Sequence, residues 1–180
     1  MRSFLALVLL IAASAAWGQP QPEKPNGLLL VAKPGMLDPN FRETVLLVSQ
    51  AADGSTVGVI LNRPTPRRHE RTGESISFGG PVMREVLVAL FRAERAPDAP
   101  AFHVLKGIYH SMRPEHDDEL VQNRRLFAGF AGWTPGQLQS ELARDDWFVL
   151  PATAQLVFRN DTSGLWEELV RKARGRVAMR

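Results

Sequence analysis

Two apolar, β-branched runs, TVLLVSQ (44–50) and TVGVILN (56–62), are separated only by AADGS. This arrangement restricts the fold more than any other stretch. Residue types that favour a pleated, half-buried surface flank Asp53-Gly54, a pair suited to a tight reversal, so the segment predicts an antiparallel hairpin. LLLVAK (28–33) reads as a buried strand beside it. Further strands are predicted in ISFGGPV (76–82), VLVALFR (86–92), FHVLKGIYHS (102–111), RLFAGFAG (125–132) and WFVLPA (147–152). Asp38-Pro39 has helix-start chemistry but opens only a short turn; helices are predicted at PEHDDELVQN (114–123), TPGQLQSELAR (134–144) and TSGLWEELVRKAR (162–174), and an exposed loop at PTPRRHERTGES (64–75). The predicted fold class is α+β: a single domain with a mixed β-sheet flanked by short helices.

FAGFAGWTPGQLQSEL (127–142) carries Gly129, Gly132 and Gly136 around Trp133. Thr134 and Gln137 have capping-box spacing, and Pro135 suits a first helical position, so a helix is expected from Thr134. Leu138 and Leu142 would then face the core. Gly129 and Gly132 would allow a neighbouring backbone or ring to come close to a buried strand.

The ends of the chain differ from its body. Arg2, the apolar run Phe4–Ala13 and the small residues up to Gly18 predict a secretory signal over 1–18. A flexible, Pro-rich leader over 19–27 and a domain over 28–170 follow, and the protein is expected to be periplasmic or secreted. The chain has no cysteine, which excludes disulfides, thiol catalysis and cysteine-based metal sites. Its net charge of +3 belongs to the basic tail over 171–180, which holds Arg171, Lys172, Arg174, Arg176 and Arg180 with no acid. Such a tail suits weak contact with an anionic surface, or simply a solvated helix end.

Four stretches, PGMLDPNFRETVLLVS, GVILNRP, FGGPV and GFAGWTPGQLQSEL, occur in the order and form seen in the YqgE/AlgH family of small bacterial proteins. The resemblance runs from about Leu28 to Trp166. It implies an α+β fold, no established enzyme activity, and a role in transcriptional regulation suggested for some members. Members are usually cytoplasmic, so the leader of this chain departs from the pattern, as do the stretches between Pro64 and Gly79 and between Val82 and Gly129.

The shared motifs supply the ligand-binding candidates Asn62, Arg63, Gly79, Gly80, Trp133 and Gln137. If these strand and helix ends converge, they offer a charge, free amides and an aromatic wall to a small ligand. No catalytic residue, metal ligand or cofactor is predicted. His110 with Glu115, His116, Asp117, Asp118 and Glu119 lacks paired histidines at helical spacing and reads as a solvated acidic face. Asp117-Asp118 and Asp145-Asp146 are adjacent in sequence, so each pair diverges rather than forming an acid–base dyad. Arg63, Arg67, Arg68 and Arg71 could meet phosphates, but no helix-turn-helix pattern accompanies them. The expected function is a non-enzymatic binding or regulatory protein, its partner a small ligand or another protein. The alternatives are an enzyme with a pocket at the strand ends or, without export, a nucleic-acid-associated transcriptional regulator.

Overall fold

A computed structural model describes residues 25–94, 101–112 and 124–177. Ten strands dominate it: β1 (Leu28–Ala32), β2 (Val45–Gln50), β3 (Thr56–Ile60), β4 (Pro64–Arg68), β5 (Ser75–Phe78), β6 (Val82–Arg92), β7 (Ala101–Leu105), β8 (Ile108–Ser111), β9 (Arg124–Trp133) and β10 (Trp147–Pro151). The helices are α1 (Gln137–Ala143), α2 (Ala154–Val157) and α3 (Leu165–Val177). The main path of the sheet runs β10-β1-β2-β3-β9-β6-β8-β7, with β5 also on β9 and β4 on β5. Only β5–β9 is parallel among these pairings.

The predicted α+β class is therefore corrected: the protein is mainly β, with antiparallel strands curled into a half-barrel. Two segments account for most of the difference. The 64–75 stretch, read as a loop, contains β4, whose prolines and arginines are tolerated because, among the described residues, β5 is its one strand partner and its other edge carries no ladder bonds. Asp38-Pro39 starts a turn rather than a helix: Phe41 and Arg42 donate to the Asp38 carbonyl, and Glu43 then turns left-handed at φ 56°. FHVLKGIYHS divides into β7 and β8 around Gly107, and α1 begins at Gln137, three residues beyond Thr134. The predicted hairpin is β2–β3, with Leu46 opposite Ile60 and Gln50 opposite Thr56.

The apolar runs lack clean alternation because both faces of the central strands are covered. Leu29, Val31, Val45, Leu47, Val59 and Phe127 pack beneath α2 and α3, against Val157, Leu165 and Leu169. Leu30, Leu46, Val48 and Ile60 point the other way, towards Trp133, Leu138 and Trp147. The indole of Trp166 donates to the Ala32 carbonyl at 2.7 Å and ties α3 to β1. The curl brings β7 back over the start of β1, where the Gly27 amide donates to Val104 O at 2.7 Å.

Gly129 settles why β9 is rich in glycine. Before it, Leu126–Ala128 pair in parallel with Ile76–Phe78; after it, Ala131–Trp133 pair antiparallel with Thr56–Gly58. Gly129 itself has φ 71°, a conformation costly for residues with a Cβ. The extra residue reverses the parity of the strand. Phe127 and Phe130 both reach the α3 side, while Ala131 and Trp133 reach the other. A one-residue slip exchanges faces in a strand, and here it places Trp133 in the second core.

Candidate functional site

The motif residues converge on a backbone segment rather than on one pocket. That segment is the turn over 38–43. The Asn62 side chain accepts from Val45 N at 2.8 Å and donates to Glu43 O at 2.9 Å, fixing the point where the turn enters β2. Arg63 Nη2 donates to Arg42 O at 3.0 Å and reaches Pro39 O at 3.5 Å. From the opposite side, Trp133 stacks on Phe41 with ring centroids 5.9 Å apart, and Trp147 meets Phe41 edge-on at 5.8 Å. The turn is thus gripped by side chains on one side and by indole rings on the other.

Gln137 belongs to this support. Its Oε1 accepts from Thr134 N at 3.2 Å, one half of the expected capping box, while Gly136 occupies the cap position. Its Nε2 donates to Glu141 Oε1 at 3.2 Å. Glu141 Oε2 accepts both indole N–H groups, from Trp133 and from Trp147, each at 3.0 Å. Sequence reasoning missed Glu141 and Trp147. The i, i+4 spacing of Gln137 and Glu141 was the available signal for the first. Glu141→Leu is expected to lower stability by about 2 kcal/mol, because it strands two largely buried indole donors. Glu141→Gln, which keeps an acceptor, should cost less than half as much by urea titration. Equal costs would mean that packing alone holds the rings.

Gly79 and Gly80 lie apart from these groups, pressed against the backbone of β9 where it changes partner. Gly79 N donates to Ala128 O and Gly79 O accepts from Ile60 N, both at 2.9 Å. The pair spans the gap between β3 and β9.

Two cavities open beside the first turn of α3. One, of about 290 Å³, is lined by Arg42, Asn62, Arg63, Thr162 and Ser163 among others. The second, of about 400 Å³, shares Thr162 and extends over Arg124, Arg125 and Arg159. Arg124 forks onto Glu74, with Nη2 2.7 Å from Oε2 and Nε 3.0 Å from Oε1. Burial acts to raise the Glu74 carboxyl, but the hydrogen bonds from Arg124 and Thr72, with the Arg124 charge, outweigh it and hold the group below its ordinary range. A third, open cavity of about 490 Å³ lies between Lys33–Asp38 and Arg144–Asp146, and Leu37 at its rim is 94% exposed.

The remaining candidates lie apart from the 38–43 turn. Asp145 pairs with Lys33 and Asp146 with Arg144, the latter at 3.1 Å, so each carboxyl of that couple has its own cation. Arg67 and Arg68 lie exposed on β4, where Arg68 donates to Gly73 O and Ser75 Oγ. His103 stacks on Tyr109 at 4.8 Å, and His110 is buried near Phe102. Residues 113–123, which include the predicted acidic helix and Glu115, His116, Asp117, Asp118 and Glu119, lie outside the described residues, as do 1–24 and 178–180. Among the described residues, no three His, Asp or Glu side chains are placed to share a metal ion.

Residues 29–178 match the AlgH-like family. Curated relatives include a UPF0301 protein of Thermobifida fusca, 35% identical across 85% of this chain and 89% of its own length. Another, of Mycobacteroides abscessus, is 34% identical across 81% of this chain and 78% of its own. A crystal structure of a Corynebacterium diphtheriae protein superposes with a TM-score of 0.66 at 26% identity, covering 86% of this chain and 90% of that one. The solution structure of AlgH from Pseudomonas aeruginosa has the same fold, with a TM-score of 0.61 at 23% identity over 88% of this chain and 92% of its own.

Proposed function

The chain belongs to the AlgH-like family, and from that premise we propose that it is an exported, non-enzymatic binding or regulatory protein. One observation carries the binding reading. The paired cavities at the start of α3 place Asn62 and Arg63 beside a row of hydroxyl, amide and guanidinium groups on a rigid sheet. Polar groups set in a concave, preformed surface are what a small polar ligand requires. The charged side chains nearest to catalytic spacing support the non-enzymatic half, because Asp145 and Asp146 each face a cation. Adjacent carboxyls turned to separate cations do not share a proton as an acid–base pair would.

Export rests on Arg2 and the apolar run that follows it. Cell fractionation with intact-mass measurement tests it, the expected species being periplasmic and beginning near Gln19. A cytoplasmic species retaining or never having the leader would overturn export and bring back the nucleic-acid reading. Native mass spectrometry of the gently purified protein tests binding: a small molecule at one copy per chain is expected. An empty protein that turns over a substrate would sink the non-enzymatic reading.

A further inference from the structure

We propose that the cavity over Arg125 is a binding site for a small ligand bearing an oxyanion, either a phosphate or a carboxylate group. The inference rests on the binding reading above and narrows it to one site and one chemistry.

Arg125 is the unusual residue. It projects from β9 into the seam between β3 and α2, where Nη1 donates to Val157 O at 2.6 Å and Nη2 to Leu61 O at 3.0 Å. Its guanidinium also sits 5.2 Å from the Phe127 ring centre. These partners are a pair of neutral carbonyls and an aromatic ring. Among the described residues no carboxyl group pairs with it. Burial accordingly pushes its pKa down to about 10, and no charged neighbour contributes to that shift.

The neighbouring cations are each answered. Arg124 forks onto Glu74, and Arg159 Nη1 lies 2.6 Å from Glu168 Oε2. The acidic side chain in the lining, Glu74, is therefore neutralised by Arg124 and also accepts from Thr72 at 2.5 Å. What remains is one partly buried positive charge on a residue that lines a cavity of about 400 Å³. Burying a cation without a counter-charge opposes folding, and an anion placed in the cavity removes that penalty. A guanidinium has five N–H groups, of which Arg125 uses two within the protein. Its planar fork matches the spacing of phosphate and carboxylate oxygens.

Neutral donors complete the site. Ser77, Asn160 and Thr162 line the cavity. No side-chain hydrogen bond to the described residues engages their polar groups, and Thr162 itself is only 9% exposed. Thr162 also faces the cavity beneath Asn62 and Arg63, so a ligand anchored over Arg125 has room for its body on that side.

The test is thermal unfolding of the mature protein with inorganic phosphate and, separately, with malonate, each against sodium chloride at equal ionic strength. At ten times its Kd, the bound anion is expected to raise Tm by about 4 °C. Whichever anion gives the larger shift identifies the group the site prefers. Arg125→Gln should abolish the shift. The double variant Ser77→Ala with Asn160→Ala, which leaves the core untouched, should weaken anion affinity at least about threefold. This second variant decides the matter if Arg125→Gln does not fold. No shift beyond the chloride control would overturn the site, and so would wild-type affinity in the double variant. A protein that carries a neutral molecule from the cell yet ignores both anions would overturn the oxyanion site while keeping the binding reading. A protein that binds both anions but catalyses a reaction would do the reverse.

Discussion

Gly79→Ala is expected to destabilise the protein by at least about 3 kcal/mol, and soluble folded protein should be scarce or absent. A Cβ at this position would lie 2.1 Å from Gly129 O and 2.8 Å from Phe127 Cβ. Both are parts of β9, so relief would need main-chain displacement. Displacement there would strain the bonds that Gly79 makes to Ala128 and Ile60, since the sheet relies on this residue to close the space where β9 exchanges β5 for β3. Gly175→Ala is the matched control. Nothing lies within 4 Å of a Cβ added there, and the residue is in an exposed part of α3. That change should stabilise by about 0.5–1 kcal/mol through helix propensity. Urea titration and soluble yield report both variants. A Gly79→Ala protein of wild-type stability would show that the two chain segments can separate without cost.

Acid lability is the second large effect, and it centres on His110. The ring is buried in the sheet between Leu90 and Phe102 of the neighbouring strands, and its Nε2 has no hydrogen-bond partner. Burial disfavours the charged ring and lowers its pKa to about 4. The sign follows directly. An unfolded histidine takes up its proton near pH 6.5, while the folded one stays neutral until about pH 4. Between these values the unfolded state binds more protons, so stability is complete above pH 6.5 and falls as the pH approaches 4. The loss from pH 7.5 to 4.5 should be about 2.5 kcal/mol. Glu74, held below the ordinary carboxylate range, adds its own loss only at lower pH. His110→Leu should flatten the dependence, as read by the urea midpoint at the two pH values. An unchanged slope in that variant would place the acid sensitivity elsewhere.

How legible the fold was depended on whether a segment's neighbours agreed with its local signals. The β2–β3 hairpin could be read directly, since its turn and its flanking runs favour the same structure. The mainly-β class could not, because Asp38-Pro39 carries helix-start chemistry that the tertiary context uses for a turn, whereas Thr134-Pro135 does lead into α1. Phe41 is drawn between two indoles, and a helix through 38–43 would remove it from them. β4 was hidden by its charge and its prolines. The motif residues were read as a ligand site from their residue types, and the structure adds a supporting role that those types do not show. Asn62, Arg63, Trp133 and Gln137 hold one turn and its supports in place, which a linear sequence does not reveal because Arg63 reaches back to Pro39 and Trp133 to Phe41. Arg125 gave no signal at all. One arginine in RRLF looks like any other until the structure shows Glu74 taken by Arg124 and, among the described residues, no carboxyl paired with Arg125.

The pairing of β1 with β10 joins Leu28 to Pro151, more than 120 positions along the chain. β1 can find β2 as soon as the first hairpin emerges from synthesis, but its opposite edge stays open until nearly all of the polypeptide exists. Until then a row of unpaired amides and carbonyls borders Leu29, Leu30 and Val31, a pattern prone to pair with other chains. Distant pairings of this kind also slow folding, because the intervening chain must close into a loop before any gain is realised. The interval between synthesis and closure is therefore long. A chain in that interval keeps its edge bare, and only the arrival of β10 closes it.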